Sequence, residues 1–194
     1  MTTLSLLQYL LGAGAGVLVG LSLGMVGGGG SILAVPLLAY LVGVKDPHVA
    51  IGTSAVAVAA NAAINLVNHA RVGNVKWRCA ALFSAAGVTG AWLGSTLGKG
   101  FDGQRLLALF ALLMIVVAVL MLRARGTEGD AAVVLNRGNA PRLVGSGAAT
   151  GLLSGFFGIG GGFLVVPGLM ASTGMPILYA VGSSLVAVTL FGLT

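Results

Sequence analysis

The amino-acid sequence predicts an all-α, polytopic integral membrane protein with two homologous repeats, each opening with a glycine-broken helix pair. Three observations predict this class: an apolar composition, charges gathered into clusters a membrane span apart, and a glycine-rich break that occurs twice in matching surroundings. Of 194 residues, 57% are hydrophobic and 7% charged, whereas soluble domains carry about a quarter charged residues. So few charges cannot cover a water-facing surface, and the mean hydropathy of +1.05 agrees. The net charge of +6 does not signal nucleic acid, because the composition leaves no soluble basic face. The lone cysteine, Cys79, excludes an intramolecular disulfide framework and reads as a small apolar packing residue.

The element boundaries follow from the charges. They fall into four clusters: Lys45 and Asp46; Arg71, Lys76 and Arg78; Lys99, Asp102 and Arg105; and Arg123 through Arg142. Between them lie apolar runs at 50–68, 79–98 and 106–122, each near the roughly 20 residues that cross a bilayer as a helix. Helices are required because backbone groups in lipid must pair internally. Three crossings put the second and fourth clusters on one side, with seven of the ten basic residues, and the positive-inside rule makes that side cytoplasmic. Residues 5–23 read as a retained membrane segment, since Met1-Thr2-Thr3-Leu4 lacks a basic signal-peptide region. Trp77 and Tyr40 lie near run ends, where interfacial anchoring and core packing explain them equally well.

The repeat appears when the sequence is slid by 131. Gly16, Gly20, Gly24, Gly27, Gly29, Gly30 and Pro36 then meet Gly147, Gly151, Gly155, Gly158, Gly160, Gly161 and Pro167. Dropping one residue aligns Ala50-Ile51-Gly52-Thr53-Ser54 with Ala180-Val181-Gly182-Ser183-Ser184. A fixed long period of this kind is an architectural signal. It divides the chain into a first repeat at 1–122, with a broken pair and three membrane helices, a cytoplasmic linker at 123–142, and an apparently incomplete second repeat at 143–194. Each glycine-broken pair either crosses once, giving parallel halves, or returns as a hairpin, giving inverted halves with Met1 outside. Re-entrant pairs would bring both breaks to the midplane, which favours the inverted arrangement.

Four consecutive glycines, Gly27, Gly28, Gly29 and Gly30, are poor choices for a helix interior, each costing about 1 kcal/mol relative to alanine. Broken backbone at membrane depth is tolerated inside protein or beside water. A helix restarting at Ser31 would present unpaired N–H groups and a partial positive charge, with Ser31 as its cap. Glycine lets a ligand approach that backbone, making an anion site without a charged side chain. Gly160, Gly161 and Gly162 offer the same in the second repeat. Tight helix packing is the competing reading for such glycines, and the duplication favours a site. Pro36 and Pro167 follow the breaks, and Pro36 is expected to loosen or kink its short segment.

Side chains after the first break extend the pattern. Ser54, Asn61, Asn65 and Asn68 are spaced by seven, four and three, which is one helical face. With Thr53 beside them, and Ser183 and Ser184 in the second repeat, they are candidates to line a hydrophilic path, although interhelical hydrogen bonding is the alternative. His69 and Arg71 close the cytoplasmic end. No Asp or Glu lies inside an apolar run, so a proton relay through a membrane carboxylate is not expected. Nucleotide-loop, zincin and Cys-x-x-Cys motifs are missing from the sequence. An enzyme is therefore not expected, and no cofactor or metal is called for.

Gly24 to Pro36 followed by Ala50 to Ser54, and the second copy at Gly158 to Pro167 with Ala180 to Ser184, resemble the TauE/SafE, or sulfite-exporter, family of membrane transporters. The resemblance spans essentially the whole chain. It implies a multi-pass protein of the bacterial inner membrane that moves sulfite, sulfonates or related small organic anions. Members usually have seven to nine helices, so this chain is expected to be shortened or a fragment. The expected partners are a small anionic solute and membrane lipid, with a second copy of the chain as a further candidate and no nucleic acid. The alternative is a non-transporting membrane scaffold or assembly subunit whose glycines serve helix packing.

Overall fold

The computed structural model describes residues 6–26, 33–43, 47–123, 129–130, 133–158 and 162–193. Every regular element among them is helical: α1 (Leu6–Val26), α2 (Ala34–Pro36) running into a π-helical turn (Leu37–Leu41), α3 (Pro47–Arg71), α4 (Trp77–Gly98), α5 (Gly103–Arg123), α6 (Ala140–Phe157), α7 (Gly162–Thr173) and α8 (Ile177–Phe191). The three apolar runs read from the charge clusters become α3, α4 and α5. Among the described residues, these are the helices long and apolar enough to span a membrane. Exposed Leu18, Ile64, Trp92, Leu112 and Ile115 fit a lipid-facing surface.

The centre of the molecule is a seam between α4 and α6. Gly87, Gly90, Gly94 and Gly98 on α4 face Gly147, Gly151 and Gly155 on α6, backbone against backbone. Added methyl groups at Gly151 and Gly155 would overlap the carbonyl oxygens of Gly87 and Ala91, and one at Gly147 would stand 2.6 Å from the Phe83 oxygen. Small residues four apart leave a groove, and two such grooves let helices approach closely where lipid provides no hydrophobic drive between them. The contacts advance in step, from Phe83 with Gly147 to Gly98 with Phe156, so α4 and α6 run in the same direction.

The remaining helices take their directions from similar contacts. Gly168 on α7 lies against Thr150 on α6, and the turn after α7 receives a hydrogen bond from Asp130 N–H to Gly174 O at 2.9 Å. The pair α6 and α7 is thus a hairpin that returns to the linker from which α6 starts. Gly182 lies against Asn74 and His69, whereas Gly192 lies against Ala55 and Ala59, so α3 and α8 are antiparallel. A core of Val58, Ala62, Phe83, Leu143, Val165, Leu169, Leu185 and Val188 joins α3, α4, α6, α7 and α8. A second cluster packs Leu106 and Phe110 of α5 against Phe157, Phe163 and Leu164. Phe110 and Phe163 meet edge-on, with centroids 5.6 Å apart.

Candidate functional site

The sequence places its site at the two breaks. Gly27, Gly28, Gly29, Gly30 and Ser31, and likewise Gly160 and Gly161, lie outside the described residues. What flanks them is described. After the first break the helix does not run regularly: Pro36 has no N–H to give, and the next turn widens so that Val42 N–H reaches Leu37 O at 3.0 Å. The predicted loosening at Pro36 is therefore a π turn, a distortion frequent at functional sites. At the second break α6 ends on Gly158, whose φ of +65° is the left-handed cap glycine tolerates. Its N–H returns to Gly155 and Ser154 carbonyls, and α7 restarts at the buried Gly162. Pro167 lies within α7, half-buried.

Gly158 also touches α3. A Cβ there would overlap Ile51 Cγ2, so the second break abuts the Ala50-Ile51-Gly52-Thr53-Ser54 motif of α3. Around this meeting point lies a cavity of about 320 Å³, lined by Ile51 and Gly52, Lys99 and Ser95, Leu106, Ser154 through Gly158, and Phe191 and Gly192. It sits level with the end of α4, where Gly98 meets Phe156. The second break is thus at one end of the α4 seam, whereas a midplane position was expected. The reason is the length of α6: its 18 residues extend about 27 Å before the break.

The polar residues named from the sequence divide between two ends. Ser54 is buried and its Oγ donates to Ile51 O at 2.7 Å; Thr53 is exposed on the adjacent face. Asn61 and Asn65 are half-buried and bonded to one another, Nδ2 of Asn65 donating to Oδ1 of Asn61 at 2.7 Å, and Asn61 Nδ2 stands beside Gly20 of α1. Asn68 is exposed. Ser183 and Ser184 are fully buried at the opposite end. Ser184 Oγ donates to Val181 O at 2.7 Å, and Ser183 Oγ accepts the Lys76 backbone N–H at 2.9 Å. Because α3 and α8 are antiparallel, Ser54 and Ser184 stand about 18 Å apart along the pair, taking 1.5 Å per residue. The two Gly-Ser motifs do not share one pocket; the first stands beside the second glycine break.

Two residues that sequence reasoning passed over line the cavity. Ser154, one position before the break motif, is 3% exposed, and its Oγ has no hydrogen-bond partner. Lys99 closes α4 at the same level. A lone serine in an apolar run and a lysine in a loop carry no pattern that would mark them. Only the α4 seam brings them together.

The family model described as "Sulfite exporter TauE/SafE" matches residues 12–194. The chain belongs to the TauE/SafE family. It is 57% identical over 183 residues to a probable membrane transporter protein of Xylella fastidiosa strain 9a5c, spanning 93% of this chain and 69% of that protein. It is 28% identical over 174 residues to the probable membrane transporter protein MJ0441 of Methanocaldococcus jannaschii, covering 87% of this chain and 64% of the relative. A probable membrane transporter protein of Haemophilus influenzae is 29% identical over 201 residues, covering 73% of its length. No solved structure matches the chain at a significant level. This TauE/SafE chain is thus a membrane transporter by family, with apolar helices of spanning length.

Proposed function

We propose that this TauE/SafE protein moves a small, sulfur-containing anion such as sulfite or a sulfonate across the bacterial inner membrane, and that its glycine-broken helices form the substrate path. The observation that carries the reading is the contact of Gly158, at the second break, with the Ile51-Gly52 motif of α3. A break packed against Ile51 in the glycine-containing first turns of α3, beside a cavity, supports a site built from discontinuous helices as in repeat-built transporters, here at the end of the α4 seam and not at the midplane. The repeat at 1–122 and 143–194, joined by the linker at 123–142, is part of this proposal. The hairpin of α6 and α7 and the antiparallel α3 and α8, which carry the matched Gly-Ser motifs, support its inverted form. In that form Met1 and Lys99 face outward, and Arg71 and the linker face the cytoplasm.

The packing role of glycine belongs to other positions. Gly87, Gly90, Gly94, Gly147, Gly151 and Gly155 meet backbone across the seam, so the scaffold reading explains them without extending to Gly158, whose nearest neighbour is the Ile51 side chain. The direct test is uptake of radiolabelled sulfite and a small sulfonate into proteoliposomes, under a pH gradient and under a voltage, against protein-free vesicles and a Gly30→Leu variant. Saturable flux that Gly30→Leu abolishes in a still-folded protein supports the proposal. No flux of either anion under both driving forces counts against it.

A further inference from the structure

We infer that the crevice between α3 and α4, on the lipid-facing side of α8, holds one anionic phospholipid, with its phosphate between Arg71 and Arg78 and an acyl chain over Val186 and Leu190. The cytoplasmic placement of this site rests on the orientation proposed above. The binding itself does not depend on transport.

The crevice follows from one face of α8. Tyr179, Ser183, Val186 and Leu190 are spaced by four, three and four, which keeps them on a single helical face. The turn from α3 to α4 covers the start of this face: Ser183 Oγ accepts the Lys76 N–H at 2.9 Å, and the Lys76 ammonium stands over the Tyr179 ring. Further along, α3 and α4 lie on its two flanks. Gly192 meets Ala55 and Ala59 of α3, and Gly87 of α4 meets Phe191. Both helices pack on α8 more than on each other. The floor between them is open: Val186 is half-buried and Leu190 exposed, whereas Ser184, Leu185, Ala187 and Val188 are buried. The result is a V with its apex at the turn.

The apex is cationic. The stretch from Arg71 to Arg78 carries three basic residues and no acidic one. Arg71 ends α3 and Arg78 lies in the first turn of α4. Both are exposed, and their guanidinium groups make no ion pair or hydrogen bond among the described residues. The start of α4 adds partial charge of the same sign. Trp77 beside them is exposed, an indole suited to headgroup level. The turn is held to α8 through Lys76 and through Asn74 O against Gly182, so the arginines stand at a fixed place above the crevice.

Charge and shape select the ligand together. A soluble anion would meet the arginines and leave the apolar floor bare. A zwitterionic lipid would cover the floor but bring its own cation to Arg71 and Arg78. A phospholipid with a net negative head satisfies both, and basic sites between helices on the cytoplasmic side bind such heads. The floor from Ser183 to Leu190 runs about 10 Å at 1.5 Å per residue, within the ~15 Å depth of one leaflet.

Trp77 and Trp92 are the two tryptophans of the chain, so Trp92→Phe leaves Trp77, at the apex, as the one indole. The test is quenching of this protein by phosphatidylglycerol brominated on its acyl chains, in phosphatidylcholine vesicles at low salt, with brominated phosphatidylcholine as the reference. Phosphatidylglycerol is expected to be preferred about twentyfold, and Arg71→Gln and Arg78→Gln to lower that preference about fivefold each, the scale of one cation at an anionic surface. Val186→Phe, or the exposed Leu190→Phe if that protein does not fold, fills the crevice without changing its charge and should remove most of the preference. Inorganic phosphate at matched ionic strength should leave the quenching unchanged. Equal quenching by the two lipids, or a preference kept when both arginines are replaced, would overturn the site. An undiminished preference in the folded crevice variant would overturn it too, since diffuse attraction to positive loops would then suffice. Displacement by inorganic phosphate would overturn the lipid in favour of a soluble anion.

Discussion

Ser183 is fully buried, and its hydroxyl accepts the Lys76 backbone N–H as the chain turns into α4. The Lys76 ammonium lies 4.7 Å from the centre of the Tyr179 ring on the same helix, α8. Together these contacts hold the start of α4 to α8. Ser183→Ala removes an acceptor from a partly buried amide, and we expect a loss of about 1–2 kcal/mol, read as a lower melting temperature in detergent. Gly158→Ala combines a left-handed backbone with overlap on Ile51. A loss of about 1–3 kcal/mol is expected, and pairing it with Ile51→Ala should restore the part due to overlap. A melting temperature unchanged in the single variant would show that the break does not press on α3. The sequence offered Ser183 as a candidate to line a hydrophilic path in a matched motif; its bond to a backbone amide 107 positions away was not legible, because such a partner leaves no trace in residue identity.

At the scale of elements, the α4 and α6 seam bears the fold, and α1 offers a control of the same composition. Methyl groups at Gly151 or Gly155 would meet carbonyl oxygens of α4, whereas Gly14 has nothing within 4 Å. Gly151→Ala is expected to cost about 3 kcal/mol through forced separation of two backbones, and Gly14→Ala to gain up to about 1 kcal/mol, since alanine is the better helix former and its methyl meets nothing. Equal melting temperatures for the two variants would refute the seam. The helices themselves were legible: charge clusters delimited α3, α4 and α5 to within a few residues, because a charge inside lipid is costly. Which glycines pack and which break was not. Both kinds occur in the same spacing, and the distinction lies in the backbone that faces them.

The whole molecule turns on direction. The linker touches the end of α7 through Asp130 and Gly174, and α3 opposes α8, so an inverted pair of halves predicts where the ends emerge. A membrane-impermeant thiol reagent applied to intact cells should label Lys99→Cys and leave Arg137→Cys unlabelled, and a reporter fused at Met1 should read as extracytoplasmic. A cytoplasmic reporter would exclude the inverted form. Hydropathy reports length and not heading, so the sequence favoured the inverted form only by placing the breaks; the contacts of Gly168, Gly182 and Gly192 give the relative directions of α6, α7, α3 and α8, on which the proposed inverted form rests. The sequence also placed the breaks at midplane. The second proves to be level with the end of α4, since no pattern in the residues marks how far α6 runs before Gly158.

The most direct test of the central claim, that substrate passes where the second break meets α3, is sulfite and sulfonate uptake by proteoliposomes containing Gly52→Leu or Gly14→Leu protein. Both positions have room for a side chain, but only Gly52 lines the cavity beside Gly158. The account predicts uptake abolished in Gly52→Leu and retained in Gly14→Leu, with both proteins folded. Uptake of either anion at equal rates in the two variants would contradict it.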